Sequence, residues 1–147
     1  MDNEFRSNTK ANTKIAGKMA DEFESIDRLF AQAVQHHRYG ELSKAEALYQ
    51  AILKREPNHL AAMKKYGVLS FQWNDFLLAE KMFEQVYEMG QFDEQLSVNL
   101  VMSKIKLDKA AEALPVIHAI LRHNPESKAA IALSERLQMP LPDLESC

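Results

Sequence analysis

Hydrophobic residues recur along most of the chain at intervals of three and four positions, with polar residues between them. The pattern is clear in the second quarter of the chain, where Ala45, Leu48, Tyr49 and Ile52 follow one another at helical spacing. Such spacing places the apolar side chains on one stripe of an α-helix. Short polar stretches, such as residues 38–43, separate the stripes. We therefore expect a series of amphipathic helices joined by short turns.

The stripes predict three helical pairs followed by a closing helix. The pairs span residues 26–39 and 43–55, 60–73 and 76–89, and 93–106 and 109–122. The closing helix is predicted within residues 127–139, where apolar residues stand at positions 130, 131, 133 and 137. Pro115 falls inside the sixth helix, where it removes a backbone hydrogen bond and is expected to kink the helix, at a cost of up to about 3 kcal/mol.

A repeat of 34 residues runs through the three pairs, since Ala45, Ala79 and Ala113 align at this interval without a gap. A hairpin that repeats in this way buries its apolar stripe only against its neighbours. The same register aligns further columns of large and small residues: Tyr49 with Phe83 and Ile117, Ile52 with Val86 and Ile120, Leu29 with Met63, and Ala33 with Gly67.

This repeat resembles the tetratricopeptide repeat (TPR) family, whose unit is two antiparallel helices with small residues where they cross and a proline at the end. Pro57 and Pro125 end two of the units, whereas Gln91 replaces the closing proline of the second. Ser97 and Val101 fit the third unit poorly. The resemblance covers roughly residues 26 to 127 and implies an all-α fold, a right-handed superhelix of three TPR hairpins with a C-terminal capping helix.

The repeat and the composition of the segments on either side of it also predict a division of the chain. Residues 1–22 are expected to form a flexible N-terminal segment, residues 23–139 the TPR domain and residues 140–147 a C-terminal tail. Within the domain, the predicted repeats are residues 26–59, 60–93 and 94–127, with the capping helix at residues 127–139.

The composition narrows the function. A net charge of −3 and a pI near 6.0 argue against a nucleic-acid partner, which normally requires a basic surface. The chain shows neither the long apolar stretch of a membrane span nor the apolar core of a secretory signal, so we expect a cytoplasmic location and no membrane span. Cys147 is the only cysteine, which rules out a disulfide within the chain.

In TPR proteins the first helix of each pair lines a concave surface where ligands are usually held, and the resemblance implies a partner-binding site there. A soluble protein rarely leaves a long apolar strip uncovered, so the expected partner is a protein, bound through a hydrophobic helix or a peptide segment. A carboxylate clamp is not expected, because Phe30 and Val34 occupy its positions in the first unit. The predicted partner-binding residues are Phe30, Val34, His37, Lys64, Val68, Phe71, Val98, Met102 and Ile105.

Other arrangements stay open at this point. The chain's own N-terminal segment, around Phe5, Ile15 and Phe23, could lie in the groove, or a homodimer could bury the strip against a second copy. Alternatively, the chain could be a structural adaptor that assembles a complex through its convex face or its ends, for which Trp73 and the capping helix would matter.

The overall plan also resembles the class II chaperones of bacterial type III secretion, which keep exported subunits soluble. This resemblance rests on a short N-terminal extension, three repeats and a hydrophobic concave groove. It implies a chaperone that holds an aggregation-prone segment of its partner.

Residues that could carry out catalysis or bind a metal are not arranged for it. His36 and His37 are adjacent, so they point to different helix faces, and the sequence contains no phosphate-binding glycine loop and no nucleophile elbow. The carboxylates are expected on outward helix faces and in turns. We therefore expect no enzyme activity, no cofactor and no metal.

Overall fold

The computed structural model describes residues 24–137, and these residues form seven α-helices and no strand. The all-α fold class predicted from the sequence is confirmed, and each end of the six paired helices lies within one residue of its predicted position. The predicted N-terminal segment, with Phe5, Ile15 and Phe23, and the predicted tail at 140–147 lie outside the described residues. The helices are α1 Ile26–Arg38, α2 Leu42–Arg55, α3 Leu60–Gln72, α4 Phe76–Glu88, α5 Glu94–Lys106, α6 Ala110–His123 and α7 Lys128–Arg136.

The chain divides into two compact units at Pro57. Of the described residues, α1 and α2 belong to the first unit, and α3 to α7 belong to the second. The predicted single domain at 23–139, with its three repeat boundaries, stays a prediction.

The first unit is a helical hairpin held together by the residues of the predicted crossing. Leu29 and Ala33 of α1, and Ala45, Tyr49 and Ile52 of α2, are each at most 1% exposed. Small side chains at the crossing allow the two helices to approach closely, and the large ring of Tyr49 fills the space beside them. The aligned columns of the sequence therefore correspond to the buried face of this hairpin.

In the second unit, α3 to α7 pack in chain order, each helix against the next. Gly67 lies where α3 meets α4, and an added Cβ there would stand 2.8 Å from Cδ1 and Cζ of the Phe83 ring. A glycine is therefore required for the ring of Phe83 to lie against the α3 backbone. The largest fully buried side chains of this unit are Phe83, Leu69, Leu100, Ile117, Ile120 and Val101.

The turns within the three helical pairs share one backbone conformation. Gly40, Asn74 and Asp108, which stand 34 residues apart, have φ values of 77°, 62° and 58°. Residues in this left-handed region commonly end helices, because they let later backbone N–H groups bond to the last carbonyls of the helix. The closing bonds are Glu41 N–H to the His36 carbonyl at 2.9 Å, Asp75 N–H to the Ser70 carbonyl at 2.8 Å, and Lys109 N–H to the Lys104 carbonyl at 2.8 Å.

The predicted closing helix is present as α7, which contacts α6. Ser127 caps its N-terminus, since the hydroxyl accepts a hydrogen bond from the Ala130 N–H at 3.2 Å. The same hydroxyl donates to the carboxylate of Glu94 at 2.6 Å, and this carboxylate also accepts a bond from the Asn124 amide at 3.1 Å. These bonds tie the start of α7 to the start of α5.

One expectation about the carboxylates is wrong. The sequence predicted them on outward faces, but Glu80 of α4 is only 5% exposed. Its carboxylate accepts hydrogen bonds from Lys104 at 3.0 Å and from Lys109 at 2.8 Å. The hydrogen bonds from two lysines therefore offset the cost of burying this carboxylate. Without a partner, the buried charge would be strongly destabilising.

Candidate functional site

Five of the seven apolar residues predicted to bind a partner lie along α3 and α5 of the second unit. Within each helix these residues are three or four positions apart and share one face. All of them are half-buried, neither sealed in the core nor fully exposed. We call this set the α3–α5 strip, and its residues are Val68, Phe71, Val98, Met102 and Ile105.

A small pocket of about 200 Å³ opens between α3 and α5 beside Val68. The pocket also includes Phe83 and Leu96, which are at most 3% exposed, so part of its lining belongs to the buried core. Polar side chains complete the lining. The polar residues of the pocket are Lys64, Lys65, Asp93, Gln95 and Asn99.

Lys64, one of the predicted partner-binding residues, also makes a bond within the chain. Its ammonium group donates to the carboxylate of Asp93 at 2.7 Å. Asp93 caps α5 by accepting the Leu96 N–H at 3.1 Å. The hydrogen bond from Lys64, followed by the one from the Leu96 N–H, holds the pKa of Asp93 below its usual value. Lys64 therefore links α3 to the first turn of α5, and its positive charge is paired with the carboxylate of Asp93.

A second pair of polar side chains lines the same pocket. The Gln95 amide donates a hydrogen bond to the side-chain oxygen of Asn99 at 3.0 Å. Both residues stand on α5, one turn apart. The pocket thus combines an apolar interior with amide and charged groups at its opening.

Aromatic residues mark the other end of the strip. The ring of Phe71 meets the edge of Phe76, the first residue of α4, with 5.0 Å between the centroids and 69° between the planes. The ammonium group of Lys106 lies 5.7 Å from the centroid of the Phe76 ring, within cation–π range. Along α3, the strip therefore begins next to the polar side chain of Lys64 and ends at the aromatic ring of Phe71.

The remaining predicted site residues belong to the first unit. Phe30 and Val34 are half-buried and line a shallow depression of about 480 Å³ on α1, together with Arg38 and Tyr39. Their role in binding a partner stays a prediction.

His37 has a role within its own hairpin. Its Nδ1 lies 3.0 Å from the hydroxyl of Tyr49, and the two rings meet edge to face at a centroid distance of 5.9 Å. Burial raises the pKa of Tyr49 to about 12, so the phenol stays protonated at neutral pH. His37 therefore connects the end of α1 to the middle of α2.

A cluster of charged side chains fixes α5 from its buried side. Lys104 is only 3% exposed in its side chain, and its ammonium group bonds to Glu80 at 3.0 Å and Glu84 at 3.2 Å, with Glu112 at 3.8 Å. Burial alone would lower the pKa of Lys104, but the hydrogen bonds that its ammonium group donates to Glu80 and Glu84 outweigh burial and leave this pKa raised. Burial alone would raise the pKa of Glu80, and the bonds from Lys109 and Lys104 leave it lowered. The cluster joins α4, α5 and α6.

Sequence reasoning missed several residues around the strip. Asp93 was detectable, because an aspartate directly before a helix is a common N-cap. Lys65, Asn99 and Phe76 carried no comparable signal, since only the packing of α3, α4 and α5 brings them to the strip.

Two further findings concern other classes of function. Among residues 24–137, no helix is long and apolar enough to cross a bilayer, and no three His, Cys, Asp or Glu side chains are grouped as metal ligands would be. His59 instead caps α3, because its Nδ1 accepts the Ala62 N–H at 3.0 Å.

The helical arrangement is shared with solved TPR structures. The chain superposes on the TPR domain of Arabidopsis OM64 with a TM-score of 0.69 and 15% identity, over 78% of this chain and 95% of that one. The fold is that of a TPR domain. A second similar structure is the first TPR domain of Spaghetti (RPAP3), bound to the HSP90 peptide SRMEEVD, with a TM-score of 0.70 and 14% identity over 78% of this chain and 91% of that one.

A third TPR structure, YrrB, is described as having an unusual peptide-binding site. It matches with a TM-score of 0.71 and 21% identity, over 82% of this chain and 63% of that one. At these identities the likeness shows the TPR fold alone. No protein-family profile and no curated protein matches the sequence.

Proposed function

We propose that this chain is a protein-binding TPR module that holds a hydrophobic helix or an extended segment of a partner on the α3–α5 strip. The observation that carries the proposal is the half-buried state of all five apolar strip residues on two neighbouring helices. Side chains in this state present apolar surface that a partner can cover. The TPR domain of Spaghetti, which has the same fold, binds a peptide.

The strip is large enough to support measurable affinity. Each partner side chain that becomes fully buried contributes roughly 1.5–3 kcal/mol. Association costs about 4–15 kcal/mol in lost freedom of motion. At the favourable ends of these two ranges, four or five such contacts give about micromolar affinity or better.

The test places charge on the strip without disturbing the core. A double substitution, Val68→Glu with Met102→Glu, puts two carboxylates on half-buried positions of α3 and α5. We expect it to abolish retention of the partner in a pull-down from the native source, followed by mass spectrometry, while the far-UV circular dichroism spectrum stays unchanged. The matched control is Gln85→Glu with Gln91→Glu, which adds the same charge at exposed positions of α4 and of the segment after it. Retention that survives in the strip variant would exclude the strip as the binding site.

A more specific version of this function is a chaperone of bacterial type III secretion that keeps an export subunit soluble in the cytoplasm. It is supported by the short helical array and by the apolar character of the strip. Co-expression with a translocator or needle subunit should yield a soluble complex with the wild-type chain and an insoluble subunit with the double glutamate variant. A subunit that stays soluble with both chains would contradict this role.

An adaptor function is the alternative, and exposed hydrophobic residues of the second unit favour it. Trp73 at the end of α3 is 41% exposed, and Leu77 on α4 is 64% exposed. Replacing both by serine should dissolve an assembly built through this edge and leave binding at the strip intact. An assembly that persists would exclude the alternative.

A further inference from the structure

The pocket between α3 and α5 differs from the rest of the strip in both shape and charge. The strip is an apolar face, whereas the pocket is a partly enclosed hollow with buried Phe83 and Leu96 in its lining. Ligand pockets for whole small molecules usually measure about 300–1,000 Å³. A volume of about 200 Å³ is below that range and suits one aliphatic side chain of a larger ligand.

The charge at the pocket is positive overall. Its charged lining residues are Lys64, Lys65 and Asp93, and Lys64 is already paired with Asp93 at 2.7 Å. Lys65 is exposed and, among the residues that the structure describes, makes no ion pair or hydrogen bond. One unneutralised ammonium group therefore stands beside the opening of an apolar pocket.

The amide groups of the pocket favour a peptide as the ligand. Gln95 and Asn99 are bonded to each other through one donor and one acceptor, so each retains capacity for a further bond. Such groups can pair with the main chain of a peptide that crosses the opening, while its side chain enters the pocket.

From these features we infer that the pocket accepts a leucine- or methionine-sized side chain of the partner, and that an acidic residue next to it in the partner sequence pairs with Lys65. The inference rests on the proposed function and names the chemistry that the polar end of the strip selects. The partner is then an apolar segment with an acidic residue beside its anchor. The anchor side chain enters the α3–α5 pocket, and the segment continues along the strip toward Phe71.

The experiment uses the full chain and a displayed library of random peptides as the probe. Wild-type protein should enrich peptides in which Asp or Glu stands within two positions of Leu, Ile or Met. An enriched peptide, made synthetically, should bind about five- to tenfold more weakly to the Lys65→Glu variant at low salt, because an attraction is replaced by a repulsion of similar size. The difference should shrink as salt is added.

Matched variants separate the pocket from general charge effects. Lys81→Glu makes the same charge change at an exposed position of α4 and should leave peptide affinity unchanged. Val68→Phe reduces the pocket volume and should shift the enriched anchors toward Val and Ala. Lys65 is exposed, so its replacement is not expected to affect folding.

The outcomes distinguish this inference from the proposed function. In one outcome, the enriched peptides fail to bind the Val68→Glu, Met102→Glu double variant and yet show no acidic preference. That result would overturn the inference and leave the strip as the binding site. Peptides that bind equally to the wild type and the Lys65→Glu variant would overturn it in the same way. Peptides that survive the double variant would overturn both, and a library that yields no retained peptide would overturn the inference.

Discussion

Replacing Gly67 with alanine should destabilise the protein, although the same change usually strengthens a helix. Gly67 lies inside α3, where alanine is favoured over glycine by about 0.8–1.0 kcal/mol. At this position, however, a Cβ would stand 2.8 Å from two atoms of the Phe83 ring, closer than real Cβ contacts come. The sign of the effect therefore depends on whether the ring can move.

The structure indicates that the ring cannot move freely. Phe83 is 1% exposed and lies in the core of the second unit. Forcing an extra methyl group into such a core costs about 1–3 kcal/mol. After the helix preference of alanine is subtracted, the net loss of unfolding free energy for Gly67→Ala should lie between about 0 and 2 kcal/mol.

The assay is urea unfolding followed by circular dichroism, with Phe83→Leu as the second arm of a double-mutant cycle. Leucine lacks the ring, so Gly67→Ala should be neutral or stabilising when it is introduced into the Phe83→Leu background. Ala33→Gly is the reverse change at the corresponding position of the first hairpin, and it should cost about 1 kcal/mol of helix preference and about 0.8 kcal/mol more for the lost buried methyl group. If Gly67→Ala alone raises the unfolding free energy, the proposed clash with the Phe83 ring is refuted.

Three further predictions follow from the charged residues of the second unit. Lys104→Ala should lower the unfolding free energy by up to about 3 kcal/mol, the lower end of the range for breaking a buried ion pair, because Glu80 keeps Lys109 as a partner. Lys104→Ala with Glu80→Gln should recover part of that loss, and urea midpoints measure both variants. The pKa of Glu80 is lowered in the folded state, so its ionised carboxylate stabilises the fold above the unfolded pKa near 4.5, and this stabilisation is lost as the pH falls through the folded pKa. Glu80→Gln should therefore flatten the decline of stability below about pH 4.5 in acid titrations. Asp93→Ala should cost about 1–2 kcal/mol through the lost cap of α5, more than Lys64→Ala, and equal thermal midpoints for the two variants would contradict the capping role.

The helices were predictable because their signals are local. The apolar stripe of α2 and the 34-residue register of Ala45, Ala79 and Ala113 appear in the sequence without knowledge of what packs where. The close approach at Gly67 was indicated by the same register, which aligned it with Ala33. Helix ends followed from polar turns, because those turns contain residues that tolerate left-handed backbone.

The charged cluster could not be predicted in the same way. Lys104 and Glu80 are 24 positions apart, and each stands in a helix where a charged residue is normally solvated. Only the packing of α5 against α4 brings them together and buries them. The pairing of Lys64 with Asp93 depends likewise on the neighbourhood of α3 and α5, so a residue chosen for contact with a partner also has a structural role.

The three turns at Gly40, Asn74 and Asp108 have a consequence for recognising arrays of this kind in other genomes. The feature that recurs at these three positions is a backbone with positive φ, and three different amino acids adopt it. A search that demands glycine at this column would miss two of the three copies. A search that scores glycine, asparagine and aspartate as one class would register every copy, because these residues adopt positive φ most readily.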